Sequence, residues 1–301
     1  MVVVSALNDE VYRQVISSYE RLKQKGAVTI DGDLYEDLYR EFSSAELWLL
    51  HDDAWRGFLI LLRSGDGLIL NPYFFTGAPM VEDGCDTLAN DLMVKALEIY
   101  DASDCNRLYV TAMSVDIEPH NKTLLERFGL AFDYSYVDMS CQLPKKVTKP
   151  KKPDGISLKR VKDYTQEQLK TCFDEVYKDS DVAYYHHLSA KEKTSFYEDV
   201  CFDGVMDHLC SIALEKDGVL IGYVFVFDYD KQPYITNMCM RTAYRGQGYG
   251  SYMLQVLMFL AKEKGYRSIG LGTERKMKAF MLYKRFGFII ERRRNYYIKH
   301  K

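Results

Sequence analysis

The sequence has few of the features that mark membrane, secreted or nucleic-acid-binding proteins. Its 40 Lys and Arg residues are balanced by 43 Asp and Glu, and the net charge of −3 gives no overall attraction for nucleic acid. No apolar run approaches the roughly 20 residues of a membrane-spanning helix. Residues 1–7 have no basic leader and no long apolar core, so no signal peptide is predicted. We therefore expect no membrane contact and a cytoplasmic location.

Disulfide frameworks and structural zinc sites are not indicated either. The 7 cysteines are odd in number and scattered, and none forms a Cys-x-x-Cys pair. His186 and His187 are adjacent, but no further ligand lies at a suitable spacing, so packing is preferred to metal binding and no metal is expected. We predict that the cysteines are buried small apolar residues: Cys85, Cys105, Cys141, Cys172, Cys201, Cys210 and Cys239.

The chain is long enough for two ordinary domains, since it has 301 residues of which 47% are apolar. Residues 144–155 contain three prolines, five lysines and no aromatic residue, a composition typical of an extended linker. A phosphate-binding or nucleic-acid-binding role for these lysines is the less favoured alternative. We predict a domain over residues 1–144, a linker over 145–153 and a domain over 154–301.

A glycine-rich loop in the second half predicts a phosphate-binding site. Residues 234–240 have the pattern of a strand and residues 252–261 that of a buried helix, and Gly246, Gly248 and Gly250 lie between them. Glycines let the backbone approach a ligand closely, and the N–H groups at the start of a helix stabilise phosphate oxygens. The loop has no Gly-Lys-Ser/Thr ending, and its glycine spacing does not form Gly-x-Gly-x-x-Gly. Neither of these two nucleotide-binding motifs is therefore present.

The second half alternates strands and helices in a definite order: strand, two helices, three strands, helix, strand, helix, strand. A turn at residues 215–218 joins two apolar runs into a hairpin. We predict strands over 156–160, 209–215, 219–228, 233–240, 268–272 and 288–297, and helices over 166–176, 190–205, 252–261 and 276–286.

Two motifs of this half resemble those of the GNAT acetyltransferase superfamily. Arg245, Gly248 and Gly250 satisfy the pattern Arg/Gln-x-x-Gly-x-Gly/Ala. Residues 279–288 match the pattern Ala-x-x-Leu-Tyr-x-x-x-Gly-Phe, in which a helix ends at a glycine and a final strand begins. The two motifs occur in the family's order and separation. The resemblance implies an α/β fold with a mixed, mostly antiparallel sheet flanked by helices.

The first half has a similar series of elements, which predicts an internal duplication. Residues 124–130 align with residues 282–288, and both segments contain Arg-Phe-Gly. We therefore predict two tandem GNAT-like domains. The candidate strands of the first cover residues 48–51, 57–63, 67–75 and 107–113, and a candidate helix covers residues 85–100.

The first domain is predicted to be degenerate. In place of the glycine loop it has residues 77–84, which include Pro79, Glu82 and Asp83. Proline has no N–H to offer a phosphate, and two carboxylates would repel pyrophosphate. Leu125 takes the place of Tyr283 and cannot transfer a proton. We expect this domain not to bind coenzyme A, and to help shape the acceptor cleft.

For the second domain the resemblance implies transfer of an acetyl group from the co-substrate acetyl-CoA to a primary amine. Direct attack is favoured, because no histidine arrangement activates the thiol of Cys239. Tyr283 would protonate the departing thiolate, Arg245 would anchor the loop, and a strand N–H would polarise the thioester carbonyl. The residues that the resemblance assigns to the coenzyme are Met238, Cys239, Met240, Gly246, Gln247, Gly248, Tyr249, Gly250 and Ser251.

The general base and one coenzyme contact stay open. Residues 234–238 contain no carboxylate to remove the proton of the amine, so Asn237 holding a water, Glu274 and Asp228 are the alternatives. Lys276 stands where the family often has asparagine, and it either reaches a coenzyme phosphate or faces solvent.

The acceptor is expected to be a small-molecule amine or a peptide amine. Residues 174–207, which would border it, contain nine acidic residues and three lysines. An acidic rim favours a cationic amine, and a solvated helical face is an equal alternative. Two other functions remain: a non-catalytic acyl-CoA-binding sensor or scaffold, and an aminoacyl transferase that uses transfer RNA, which the acidic balance disfavours. The sequence does not predict the oligomeric state.

Overall fold

The structure is a computed structural model that describes residues 2–5, 10–14, 16–17, 47–52, 58–64, 67–73, 85–112, 118–201, 210–229 and 232–301. It divides into two compact units. The first contains Met1–Ser135 and Arg293–Lys301, and the second contains Tyr136–Arg292. The degenerate loop at 77–84 lies outside the described residues.

The described strands and helices follow one another as the sequence analysis expects, with some additions. The strands are β1 (Val2–Ser5), β2 (Leu47–Asp52), β3 (Phe58–Ser64), β4 (Gly67–Tyr73), β5 (Arg107–Ala112), β6 (Ala131–Gln142), β7 (Ile156–Arg160), β8 (Ile212–Lys216), β9 (Val219–Tyr229), β10 (Gln232–Met240), β11 (Ser268–Glu274) and β12 (Ile289–His300). After short helical stretches at residues 10–14 and 16–17, the helices are α1 (Cys85–Ala102), α2 (Glu118–Arg127), α3 (Gln166–Lys178), α4 (Ala183–His187), α5 (Ala190–Cys201), α6 (Tyr249–Glu263) and α7 (Lys278–Arg285).

The sheet of the first unit has the order β1-β2-β3-β4-β5-β12. Its first four strands are antiparallel neighbours, and β4 and β5 are parallel, with Gly67 opposite Arg107. The last part of the chain then pairs antiparallel with β5, from Asn295 opposite Ala112 to His300 opposite Arg107. Tyr297 is 1% exposed and belongs to the apolar core of this unit.

The sheet of the second unit repeats that arrangement in the order β7-β8-β9-β10-β11-β6. Strands β7 to β10 are antiparallel neighbours, β10 and β11 are parallel, and β6 pairs antiparallel with the whole of β11. Each unit therefore takes its sixth strand from the other half of the sequence. The repeated order confirms the predicted fold class, two tandem domains with mixed, mostly antiparallel sheets flanked by helices.

Because of this exchange of strands, the chain passes from the first unit to the second at residue 136 and returns to the first at residue 293. The predicted linker, residues 145–153, has no helix or strand. Strand β6 was not predicted; its burial alternates over residues 135–139 and is continuous over residues 139–141. The predicted helix over 190–205 ends at Cys201 in the described part of the chain.

The sheet of the second unit has an apolar core on each face. On one face Ile269 and Leu271 pack with α6 and α7, in a cluster that also contains Leu257 and Tyr283. On the other face Cys239 packs in an aromatic-rich cluster that includes residues of α3, α4 and α5. The two clusters hold β10 and β11 between helices, so groups on these strands face two different environments.

The shared Arg-Phe-Gly sequence ends a helix in the same way in both units. Gly129 and Gly287 have φ values of +77° and +85°, which only glycine adopts without strain. The N–H of Leu130 donates to the carbonyl of Leu125 at 3.0 Å, and the N–H of Phe288 donates to the carbonyl of Tyr283 at 3.1 Å. Leu125 therefore occupies the position in the first unit that Tyr283 occupies in the second.

We expect truncation of Tyr297 to loosen the first unit, although Tyr297 lies near the carboxyl end of the chain. Tyr297→Ala removes a ring from the core of that unit and should cost about 3–5 kcal/mol of its stability. Hydrogen exchange should then quicken in β2 to β5. The matched control Phe288→Ala, nine residues earlier and 1% exposed in the core of the second unit, should quicken exchange in β8 to β10 instead. If Tyr297→Ala instead quickens hydrogen exchange in β8 to β10 and leaves β2 to β5 unchanged, the assignment of β12 to the first unit is contradicted.

Candidate functional site

The candidate site lies where two parallel strands separate. Strands β10 and β11 pair at Tyr234 opposite Gly270 and at Ile235 opposite Leu271. Beyond these pairs, β10 continues to Met240 and β11 to Glu274. Facing backbone groups of separated strands can hydrogen-bond an extended ligand in the way that an added strand does. The opening between these strands is called the crevice below.

A β-bulge sets the direction of the side chains on β10. The register against β9 shifts between Ile235 and Asn237, so Thr236 is the inserted residue. The Thr236 hydroxyl donates to the carbonyl of Val200 on α5 at 2.8 Å. After the bulge, Cys239 packs in the cluster with α3 to α5, whereas Met238 packs in the cluster with α6 and α7.

The loop after β10 is fastened at its arginine. The Nε of Arg245 donates to the carbonyl of Met240 at 2.9 Å, and its Nη2 donates to the carbonyl of Val176 on α3 at 3.2 Å. Gln247 donates from Nε2 to the carbonyl of Ala243 at 2.9 Å. Through Arg245 the loop is therefore bonded to the end of β10 and to α3.

The glycines of the loop are needed for their backbone conformation. Gly246 and Gly248 have φ values of +77° and +85°, and a Cβ built at either would meet nothing within 4 Å. Glycine is therefore favoured at these two positions by the left-handed backbone conformation, and not because a side chain would lack space. A Cβ at Gly250 would lie 3.7 Å from atoms of Leu282 and Met238, an ordinary contact.

Helix α6 begins directly at this loop. Its N-cap, Gly248, supplies no side-chain cap, and the first intrahelical bond runs from the N–H of Tyr252 to the carbonyl of Gly248 at 2.9 Å. The N–H groups of Tyr249, Gly250 and Ser251 precede it and have no intrahelical acceptor. Such N–H groups and the helix dipole favour an anion at this end. The loop therefore fits a phosphate-bearing ligand.

Tyr283 reaches the crevice from α7. The side chain is 5% exposed, and its hydroxyl donates to the sulfur of Met238 at 3.7 Å. Burial, and then the nearby thiol of Cys239, raise the pKa of the Tyr283 hydroxyl well above its ordinary value. The hydroxyl is therefore protonated at neutral pH, the form in which a phenol is a hydrogen-bond donor.

Asn237 and Cys239 point to the opposite face of the sheet. The amide of Asn237 donates from Nδ2 to the hydroxyl of Tyr177 at 2.9 Å, and its Oδ1 accepts from the Cys239 thiol at 2.7 Å. Burial raises the pKa of the Cys239 thiol strongly, which makes it a poor nucleophile. The amide of Asn237 thus has a protein partner at each end. Its assignment to a water-holding role stays a prediction.

Glu274 and Asp228, the two carboxylates considered as bases, lie at different ends of the sheet. Glu274 accepts the N–H groups of Ala183 and Tyr184 at 3.1 and 3.0 Å, and so joins the end of β11 to the start of α4. Asp228 is opposite Pro233 near the beginning of β10 and accepts from the Tyr266 hydroxyl at 2.7 Å. At about 3.3 Å per residue, Asp228 is roughly 20 Å from the loop end of β10. Asp228 is therefore too far from the loop end of β10 to act there as a base, and Glu274 is the better placed of the two carboxylates.

Lys276 and the adjacent histidines complete the set of predicted residues. The Lys276 side chain is 50% exposed, and its Nζ lies 3.9 Å from Glu274. The Nε2 of His186 lies 2.5 Å from the carbonyl of Ser180. Within the described ranges, no three His, Cys, Asp or Glu side chains are grouped to hold a metal ion. Among the helices described, none has the length and apolar character to cross a membrane.

Sequence reasoning missed two tyrosines near the crevice. Tyr177 on α3 is the partner of Asn237, and Tyr136 on β6 lies against Gly272 of β11. Tyrosine is common in this chain, with 24 copies, so composition does not distinguish these two. Their positions depend on pairing between distant strands, which no local pattern reports.

Comparison with known proteins finds similarity for part of the second unit. Residues 167–288, which include the loop after β10 and Tyr283, match the acetyltransferase (GNAT) family. A candidate ribosomal protein bS18-alanine N-acetyltransferase of Bacillus subtilis is 34% identical over 96 residues, which are 32% of this chain and 62% of that protein. The ribosomal protein bS18-alanine N-acetyltransferase of Haemophilus influenzae is 29% identical over 90 residues, 30% of this chain and 62% of that protein.

Solved structures share the fold of the whole chain. A GCN5-related N-acetyltransferase from Sphaerobacter thermophilus has a TM-score of 0.65 and 14% identity, with 99% of this chain and 95% of that chain covered. A tandem GNAT protein from the clavulanic acid biosynthesis pathway has a TM-score of 0.60 and 14% identity, with 100% and 98% covered. At these identities the likeness shows the fold, and it agrees with two tandem GNAT-like units.

We expect Gly248→Ala to weaken acetyl-CoA binding while Gly265→Ala leaves it unchanged. Gly265 follows α6, has a φ of +87° and has no atom within 4 Å of a built Cβ, so both substitutions impose the same strain. Only Gly248 positions the N–H groups at the start of α6. A loss of affinity of about tenfold or more is expected at Gly248, together with a similar fall of about 1 kcal/mol in stability for both variants. Isothermal calorimetry and thermal unfolding measure the two effects, and equal affinities for the two variants contradict the assignment.

Proposed function

We propose that this protein transfers the acetyl group of acetyl-CoA to a primary amine. The observation that carries the proposal is the arrangement at the crevice. An open strand edge, an uncapped helix N-terminus and the buried hydroxyl of Tyr283 lie at the same end of β10. These are the groups needed to bind an extended arm, hold a pyrophosphate and protonate a leaving sulfur.

The proposed coenzyme position follows from these groups. The backbone of Met238, Cys239 and Met240 pairs with the pantetheine arm, and the N–H groups from Gly246 to Ser251 bind the pyrophosphate. Arg245 holds the loop in place through its bonds to two backbone carbonyls. The exposed Lys276 remains a candidate for a phosphate contact.

The proposed reaction is a direct transfer. The lone pair of the neutral amine attacks the thioester carbonyl carbon, and a backbone N–H of β10 stabilises the oxyanion. The carbon–sulfur bond then breaks, its electron pair goes to sulfur, and Tyr283 gives that sulfur its proton. The attacking nitrogen loses one proton, which restores the Tyr283 hydroxyl through solvent or a base, and Glu274 is the better placed of the two carboxylates.

We propose a peptide α-amine as the acceptor, with small amines as alternatives. The curated relatives act, by their names, on an alanine of a ribosomal protein. The negative charge of residues 174–207 is partly neutralised, because Asp174 pairs with Lys170 and Glu175 pairs with Arg241. We place the reaction in the cytoplasm, since the described cysteines are free thiols, as a reducing compartment allows.

The release of free thiol from acetyl-CoA tests this function. The protein is mixed with acetyl-CoA and, separately, with a hexapeptide that begins with alanine, the same peptide with a blocked N-terminus, and spermidine. Thiol release with the free hexapeptide and none with the blocked peptide is expected. Binding of acetyl-CoA without release above background for either amine contradicts the proposal and favours a sensor or scaffold.

The variant Tyr283→Phe gives this assay its chemical control. Loss of a general acid should slow turnover by about 10²-fold to 10⁴-fold with little change in acetyl-CoA affinity. Tyr252→Phe is the matched variant, because Tyr252 is buried in the same cluster and lies on α6. Near-normal turnover of Tyr283→Phe under conditions where chemistry limits the rate would make Tyr283 a packing residue.

A further inference from the structure

The lysine-rich segment over residues 144–153 lies inside the second unit and does not join the two units. The chain enters this unit at residue 136, before the segment begins. Leu143 and Ile156, at the two ends of the segment, are buried in the cluster with α6 and α7, and Val147 packs against the same cluster. The N–H of Leu143 also donates to the carbonyl of Arg267 at 2.8 Å. The segment, called the lysine strap below, is therefore fixed to the second unit.

The lysine strap crosses the sheet of its unit from one outer strand to the other. It follows β6, where Gln142 is opposite Ser268 at the start of β11, and it ends at Ile156, opposite Lys216 at the end of β8. Five strand spacings separate β6 from β7, which is about 24 Å, and the two points also lie at opposite ends of β10. A path of about 13 residues covers this diagonal only if the chain is nearly extended, since it then reaches about 40 Å.

The backbone of the strap is extended over most of its length. Residues 146–153 contain no helix, turn or bend, and each of their two prolines keeps the preceding residue out of the helical region. An extended polyproline II backbone has three residues per turn and rises about 3.1 Å per residue. Lys146, Lys149 and Lys152 are three positions apart, so they follow one side of such a backbone at intervals of about 9 Å.

The strap carries positive charge that the protein does not neutralise. Residues 143–153 contain no Asp or Glu, and they contain five exposed lysines: Lys145, Lys146, Lys149, Lys151 and Lys152. Within the described part of the chain, none of these lysines forms an ion pair or a side-chain hydrogen bond. Arg267 adds an exposed cation beside Leu143, and Asp154 adds an exposed anion at the other end. The net charge of −3 does not cancel this local field, because at 0.1 M salt charges act over about 10 Å.

We propose that the lysine strap binds the phosphate backbone of a nucleic acid without regard to base sequence, a role separate from acetyl transfer. A line of regularly spaced cations matches a line of phosphates, and lysines contribute to such binding by releasing counterions. The strap has no aromatic residue on which a base could stack. A membrane surface fits less well, because membrane-bound segments insert apolar side chains, whereas Val147 is turned toward the protein core.

A triple variant on one side of the strap tests the proposal. The substitutions Lys146→Gln, Lys149→Gln and Lys152→Gln are combined, and fluorescence anisotropy measures the binding of a labelled single-stranded RNA of mixed sequence. Affinity at low salt should fall about tenfold or more. The slope of log K against log salt should become shallower by about 2, because each lost phosphate contact on a single strand removes about 0.7. The thermal unfolding midpoint should stay unchanged, since the three side chains are exposed.

The matched control removes three exposed lysines elsewhere in the same unit. Lys159→Gln, Lys178→Gln and Lys191→Gln together change the net charge by the same amount, on β7, at the end of α3 and on α5. Their effect on RNA affinity should stay within about threefold, because screening weakens the contribution of charges outside the binding surface.

A duplex DNA probe identifies the nucleic acid. Losses for both RNA and DNA in the strap variant assign the binding to the shared phosphate backbone, and a loss for RNA alone restricts the partner to RNA. Equal losses in the two triple variants, or no binding of either probe by the parent protein at low salt, would overturn the proposal. Strap-dependent binding to vesicles of anionic phospholipid without nucleic-acid binding would overturn it too. Since no acetyl transfer is measured, these outcomes leave the proposed function untouched.

Discussion

The separation of β10 and β11 is the constraint on which the rest of the second unit depends. Two parallel strands that stayed paired to their ends would leave no backbone groups for a ligand. Here pairing stops after Ile235 and Leu271, and the bulge at Thr236 turns the following residues. The helix clusters on the two faces hold the separated ends, so the opening is built into the packing. Buried contacts of this kind fix a crevice before any ligand arrives.

The first unit has the same strand order as the second but a different side chain at the helix-ending turn. Its helix α2 ends in the same hydrogen-bonded turn as α7, but Leu125 stands where the second unit has Tyr283. An apolar side chain packs there and offers no proton. The sequence over residues 77–84, with Pro79 and two carboxylates, is also unsuited to a pyrophosphate. The first unit therefore has the packing of this turn without the hydroxyl that Tyr283 supplies in the second unit.

Local sequence predicted the features that depend on neighbouring residues. The positive φ values of Gly246 and Gly248 follow from short-range backbone geometry, and the helix-ending glycine after Tyr283 does too. The exchange of β6 and β12 could not be predicted, because the partner of a strand depends on residues more than one hundred positions away. The direction of Asn237 depends on a bulge, and the contacts of Glu274 depend on the short helix α4.

The central claim is that one chain has one acetyl-CoA site, built by the second unit alone. Isothermal titration of the full chain with acetyl-CoA measures this directly, because the stoichiometry counts sites without needing the acceptor. The account predicts one site per chain, which Gly248→Ala weakens and which the strain-matched Gly265→Ala retains. Two equivalent sites per chain, or a single site whose affinity for acetyl-CoA is unchanged by Gly248→Ala, would contradict it.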